Sequence, residues 1–248
     1  MTSDLSIILF GQTGSGKSSV INLIAGRQIA EVSNRAVGCT LSFTSYNFVA
    51  NGRRFHIWDT VGLDEPDMEF VAIGQACELI QDLTSEGGVD LLLFCIRAPR
   101  VTGTSQANYR LFYEVLCKSQ VPIAFVMTHL EREVLMDSWW DRNIEKFEKF
   151  GLKAAGHACV TGLPMHNKYP EAQHNIARLL EGRNSDGRFH MPPETWTVEF
   201  SRLSGLFSLL KRESKKDSEG IVEVLKKRCG MNRRMAEELA DKMLVYGL

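Results

Sequence analysis

The chain has no excess of charge of either sign. Its 29 lysines and arginines face 30 aspartates and glutamates, for a formal net charge of −1. No overall basic field is present to hold a polyanion or an anionic lipid surface, so any such binding would have to be local, and nucleic acid is not expected as a partner. Long hydrophobic runs are missing as well. None approaches the roughly 18 residues that a membrane span needs, and Met1–Asp4 has neither the basic stretch nor the small-residue cleavage site of a signal peptide. The six cysteines (Cys39, Cys77, Cys95, Cys117, Cys159, Cys229) form no CxxC pair. Most lie in apolar runs, which suits reduced, buried thiols in the cytoplasm rather than a disulfide framework. No internal repeat or low-complexity tract occurs. What remains is an ordinary globular composition, 44% apolar and 24% charged over 248 residues, enough for one large domain or a medium domain with an appendage.

Strand and helix patterns alternate, as in an α/β domain. Leu5–Phe10 is a short apolar run ending at Gly11, and reads as a buried strand. Lys17–Ala25 has helical spacing with Gly26 as its cap. After the weakly periodic stretch Arg27–Ser42, the runs Phe43–Ala50 and Arg53–Trp58 are joined by Asn51-Gly52. That dipeptide favours a type I′ hairpin, so the sheet is expected to be mostly parallel with one antiparallel pair. Further along, Met68–Leu83 reads as a helix, Val89–Ile96 as a central strand and Thr104–Leu116 as a helix. Val121–Met127 is another strand. Ser138 and Asp141 have the form of a capping box, His157–Thr161 is a short strand, and Pro170 opens a helix to about Leu180. Of the pair Trp139-Trp140, one indole is expected inward and the other near the surface. Composition changes after Gly182, which divides the chain into 1–182 and a helical extension, 183–248. In the extension, Trp196–Leu210 is apolar and the mixed-charge run Lys211–Glu219 reads as a solvated linker or helix face. Glu219–Cys229 and Asn232–Leu244 form two short helices, with Asn232 as a cap. Their apolar faces are expected to pack on the body, the alternative being a detachable partner- or membrane-binding element. His157 and Cys159 could suggest a metal pair, but two ligands on one strand without others at metal spacing read better as core residues.

The chemistry is carried by Gly11, Gln12, Thr13, Gly14, Ser15, Gly16, Lys17 and Ser18, followed by Ser19. This is the phosphate-binding P-loop pattern GxxxxGK[ST], between a strand and a helix as it must be. Glycines let backbone N–H groups wrap phosphate oxygens, and the helix adds its positive end. Lys17 should reach the β- and γ-phosphates and the Ser18 hydroxyl should ligate Mg²⁺. Asp59 begins a DxxG stretch at the end of the second hairpin strand. There it can hold Mg²⁺ through water, while the Gly62 N–H senses the γ-phosphate. Thr40, in the loop before the hairpin, can add a second hydroxyl to the metal, or can be an ordinary loop threonine.

With these residues the sequence resembles the immunity-associated (GIMAP, or AIG-type) GTPases, relatives of septins and of the plastid-import Toc receptors. The resemblance runs from residue 5 to about 181. It rests on GQTGSGKSS at 11–19, GCTLS at 38–42, DTVGL at 59–63, RVTG at 100–103 and THLE at 128–131. It implies a P-loop G domain that binds GTP or GDP with Mg²⁺. The base-reading box differs from the usual [NT]-K-x-D. Here the His129 imidazole can stack on guanine and Glu131 can supply the carboxylate, as the Thr-His of the Toc receptors suggests. The competing reading, a plain solvated loop, would leave guanine selectivity open. A further base-contacting loop should lie at Cys159–Gly162. Leu63 stands where Ras-type domains carry the glutamine that orients water, so turnover by one copy alone should be slow. The resemblance offers Arg100 as a replacement acting across a homodimer at the nucleotide face, where it would neutralise phosphate charge. The plainer role is a surface arginine paired with a carboxylate. Two functions follow: a cytoplasmic GTPase switch with an unidentified protein effector, with Lys17, Thr40, Gly62 and Arg100 serving hydrolysis, or a septin-like assembly protein holding GTP or GDP as a structural ligand. An ATP-dependent phosphotransferase is a third reading, disfavoured by the hairpin and DTVG.

Overall fold

The computed structural model describes residues 4–31, 43–60, 79–80, 83, 87–181 and 214–245. Six strands form one sheet in the order β2-β3-β1-β4-β5-β6, namely β1 Leu5–Phe10, β2 Thr44–Ala50, β3 Arg53–Asp59, β4 Leu91–Arg97, β5 Ile123–Thr128 and β6 Gly156–Cys159. Among the described strands only β2 and β3 pair antiparallel, and β3, β1, β4, β5 and β6 run parallel. The hairpin turn has Asn51 at φ 51° and Gly52 at φ 71°, the left-handed pair that a type I′ turn requires. The β1 and β5 side chains are buried throughout and those of β4 up to Arg97, which fits a parallel sheet covered on both faces.

Helix α1 (Lys17–Ala25) packs against β2, β3 and α4 (Tyr169–Leu180). Its bounds are those the sequence implies, and Gly26 closes it with its N–H on Leu23 O at 3.3 Å. Asn22 fixes the chain that follows α1: its side chain bonds Ile29 N–H, Ala30 N–H and Ala30 O at 2.8, 2.8 and 2.9 Å. Helix α2 (Gly103–Tyr109) does not run on as an α-helix. Arg110–Leu116 is a π-helix, closed by Cys117 N–H on Phe112 O at 3.0 Å. The wider turn accompanies a stack of Phe112 on Phe10 (4.4 Å between centroids), and Phe10 stacks in turn on Phe94 at 4.7 Å. Packing against the sheet overrides the regular helix expected there.

Helix α3 (Asp137–Lys149) corrects two expectations. Ser138 does not cap it. The residue before the helix is Met136, itself helical, and the Ser138 hydroxyl donates back to Leu135 O at 2.7 Å. Both tryptophans are buried rather than one, at 5% and 8% exposure. Adjacent positions lie about 100° apart, so a wide apolar stripe takes in both. Trp140 stacks on His157 at 4.5 Å and Trp139 meets Phe147 edge-on at 6.4 Å. That stack gives His157 a packing role, and among the described residues no cluster of metal-ligand type occurs.

Helices α5 (Ser214–Cys229) and α6 (Arg233–Val245) pack on each other, and α5 packs on α2 and the π-helix. Helix α5 starts inside the charge run, of which Ser214 onward is therefore helix. Arg110 donates to Arg228 O at 3.0 Å and Arg228 pairs with Glu114 at 3.0 Å. Asn232 accepts Met235 N–H at 2.9 Å, the cap expected of it. Cys95, Cys117 and Cys159 are free and buried, and Cys229 is buried. No described helix is long and apolar enough to cross a membrane. Thr40, Gly62, Leu63, Cys39, Cys77, most of the Met68–Leu83 helix and the run Trp196–Leu210 lie outside the described residues; Leu79, Ile80 and Leu83 are helical.

Candidate functional site at the carboxyl edge of the sheet

The carboxyl ends of β3, β1, β4 and β5 lie side by side. The chain leaves β1 toward β2 and β3 on one side, then crosses from β3 to β4 on the other, and such a reversal is where open α/β sheets form a ligand crevice. Along this edge stand Asp59 (end of β3), the loop Gly11–Gly16 (after β1), Arg97 (end of β4) and Thr128 (end of β5).

Close packing shapes the loop. A Cβ on Gly11 would lie 2.3 Å from Cys95 O, a contact no side chain tolerates. Gly16 precedes α1 with φ 87° and has no side chain to occupy the first-turn N–H groups, which leaves them for an anion. Lys17 arches over the loop, its Nζ donating to Gly11 O at 3.1 Å and to Gln12 O at 3.3 Å.

Asp59 pairs in register with Leu9, and the next residue, Thr60, is tied to Leu9 O by both N–H (3.0 Å) and hydroxyl (3.2 Å). Among the described residues, no hydrogen-bond partner reaches the buried Oδ1 of Asp59. Burial pushes its carboxyl up to about 6 from an ordinary 3.8, against the Lys17 charge, which lowers it. A buried carboxylate oxygen of this kind is a hard donor that could hold a divalent cation. With the Ser18 hydroxyl in the first turn of α1, Asp59 suits Mg²⁺, and these two residues would hold it.

On the other flank, Thr128 ends β5 and its hydroxyl donates to Ser15 O at 2.7 Å. With that proton committed, Thr128 Oγ1 accepts from Nδ1–H of His129 at 2.9 Å, leaving Nε2 as the acceptor. His129 has φ 63°, a left-handed conformation that turns the chain out of the strand. Burial, together with the Arg97 guanidinium, holds its imidazole below the usual histidine range, against the opposing effect of Glu131. The neutral, half-buried ring is suited to stacking. Glu131 accepts from the buried Thr161 hydroxyl at 3.4 Å. Next to it Gly162 approaches α1 so closely that a Cβ there would lie 2.6 Å from Ser19 Cβ. The loop after β6 thus meets both the phosphate helix and the Thr128–Glu131 stretch.

The sequence reading quoted Thr102 and Thr128 within the RVTG and THLE boxes without giving either a role, and it did not single out Ser105. Thr102 caps α2 by accepting Ser105 N–H at 3.0 Å, and Thr102 and Ser105 hydroxyls each donate to Gln12 Oε1 at 3.2 Å. The bonds to Gln12 and Ser15 join residues 90 or more positions apart, and no local pattern announces those. Arg100, expected at this face, is exposed in the loop 97–102; its N–H bonds Arg97 O at 3.2 Å. Among the described residues its guanidinium has no carboxylate partner.

A glycine loop feeding a helix, an acid at the end of the neighbouring parallel strand and a base-side loop bonded back to the phosphate loop define a P-loop G domain. Residues 6–129 match the 50S ribosome-binding GTPase family, to which the chain belongs, and its G domain is GTP-binding. The GTPase Der of Borreliella burgdorferi is 38% identical over 60 residues, 24% of this chain and 14% of Der. The matched stretch thus spans about one seventh of that relative. Among solved structures, a dimerisation-deficient arginine-to-alanine variant of Toc33 from Arabidopsis thaliana is similar at TM-score 0.52 and 20% identity, over 74% of this chain and 84% of that one. Era from Aquifex aeolicus, bound to GDP and aluminium fluoride, is similar at TM-score 0.50 and 16% identity, over 99% of this chain and 90% of that one. At these identities the likeness concerns the fold.

Proposed function

We propose that the chain is a guanine-nucleotide switch of the AIG type: it binds GTP or GDP with Mg²⁺, hydrolyses GTP slowly as a single copy, and does so faster when two copies meet across the nucleotide face. Lys17 and the loop N–H groups hold the phosphates, Ser18, Asp59 and Thr40 hold the metal, and His129 and Glu131 read the base. Mg²⁺ would neutralise charge on the β- and γ-phosphates. Residues 183–248 form an appended extension to residues 1–182.

The observation that carries the two-copy reading is Arg100. It stands exposed beside the P-loop, with a guanidinium that no described carboxylate engages. An arginine so placed can reach a second copy's nucleotide. Leu63 cannot orient water, so one copy alone lacks an element of catalysis. That an arginine-to-alanine change makes the Toc33 relative dimerisation-deficient supports the same role here. Leu63 also favours a second reading, in which the nucleotide is structural and turnover negligible.

Phosphate release across a dilution series tests the proposal. The dilute protein should turn over on the order of 10⁻⁴ s⁻¹, the scale of an unassisted G domain. The rate per subunit should rise with concentration, and Arg100→Ala should flatten that rise. A flat wild-type rate, in a protein that stays monomeric with a GTP analogue, would leave an external activator or the structural nucleotide.

A further inference from the structure

The loop that carries Arg100 is tied to the P-loop at both ends. At its start, Ala98 N–H donates to Thr128 O at 3.1 Å, and the Thr128 hydroxyl donates to Ser15 O at 2.7 Å. At its end, Thr102 and the buried Ser105 each donate a hydroxyl proton to the Gln12 amide oxygen at 3.2 Å. Both lone pairs of that oxygen are thereby used. Thr102 Oγ1 also accepts Ser105 N–H at 3.0 Å and caps α2. Capping alone asks only for an acceptor, which Asp or Asn supplies equally well. Closing the bridge to Gln12 asks for a group that accepts and donates at once, and a hydroxyl does both. Arg100 lies two residues from this bridge, no more than about 7 Å along the backbone.

We propose that Thr102 is a positioning residue: by joining the cap of α2 to Gln12, it makes the arginine-bearing loop 97–102 and the P-loop one unit, so that Arg100 is presented to a second copy in register with the nucleotide. This rests on the reading of Arg100 as the group that acts between two copies. Phosphate contacts at the loop then set the place of Arg100 through Gln12 and Ser15, which makes self-association respond to the nucleotide.

The test compares wild type, Arg100→Ala, Thr102→Val, Thr102→Ser and Gln12→Met at saturating GDP or non-hydrolysable GTP analogue. Sedimentation equilibrium and phosphate release over a dilution series are the readouts, with circular dichroism for the fold. Thr102→Val keeps the shape of the side chain and removes the hydroxyl. It should weaken analogue-driven self-association about tenfold, the scale of one positioned hydrogen bond, and lower the concentration-dependent gain in rate to match. Thr102→Ser should restore both. Gln12→Met leaves the α2 cap in place and should reproduce the Thr102→Val loss, which keeps the test open if Thr102→Val fails to fold. Wild-type self-association in Thr102→Val or in Gln12→Met, or failure of Thr102→Ser to restore it, overturns the proposal. If Arg100→Ala flattens the rate while Thr102→Val does not, this proposal falls and the two-copy reading stands. If Arg100→Ala changes nothing, both fall.

Discussion

Asp59 shows how a site residue can work against the fold that holds it. Its folded carboxyl titrates at about 6 and its unfolded one at an ordinary 3.8. Between those values the folded chain keeps a proton that the unfolded chain has released. This contribution therefore favours folding as pH falls towards 4, and disfavours it once pH rises past 6. In nucleotide-free protein with chelator, Asp59→Asn should be more stable than wild type at pH 7–8. A rise from 3.8 to about 6 sets an expected gain of about 3 kcal/mol, or roughly 6–12 °C in Tm, and it should vanish below about pH 4. Thermal melts across pH check this, and equal melting at pH 8 would contradict it. The same variant should lose the Mg²⁺ dependence of GTP binding. On the base side, Glu131→Ala should weaken GTP and GDP together and leave ATP binding unaffected, read by calorimetry. A wild-type preference for ATP would defeat the guanine reading. At the phosphates, Lys17→Ala should abolish tight nucleotide binding with the fold intact.

Among the elements, those with one dominant local signal were legible. Strand β1 and helix α1 have the bounds that the apolar run and the Gly11-to-Gly26 spacing imply. Asn51-Gly52 announced the hairpin because few residues accept two successive positive φ angles. The capping box at Ser138 was misleading, since the chain enters α3 already helical from Met136 and leaves the hydroxyl no cap to make. The π-helix was equally out of reach, because the Phe10–Phe112 stack that accompanies its turn joins residues far apart in the sequence. In the C-terminal helices, Leu225 of α5 is fully buried. Leu225→Ala should cost about 2–5 kcal/mol. It should open residues 214–245 to limited proteolysis, with GDP affinity unchanged, since α5 meets α2 and the π-helix rather than the carboxyl edge. Proteolysis as slow as in wild type would mean that the pair is held by other contacts.

For the molecule as a whole, sequence alone determined the phosphate chemistry. Glycine spacing, a lysine and a hydroxyl at the head of a helix can do little else, and these signals lie within a few residues of each other. It also determined the mixed sheet, through the hairpin dipeptide and the buried apolar runs. Only tertiary structure decided how the site is assembled. Thr128 bonds Ser15 across 113 positions, and Thr102 bonds Gln12 across 90. Such hydroxyls look like any others along the chain. They acquire partners when β1, β4 and β5 pair in register and bring their carboxyl ends together. The same pairing removes water from Asp59 and His129 and so shifts their protonation. Burial and register belong to the folded sheet, and no window of sequence contains them.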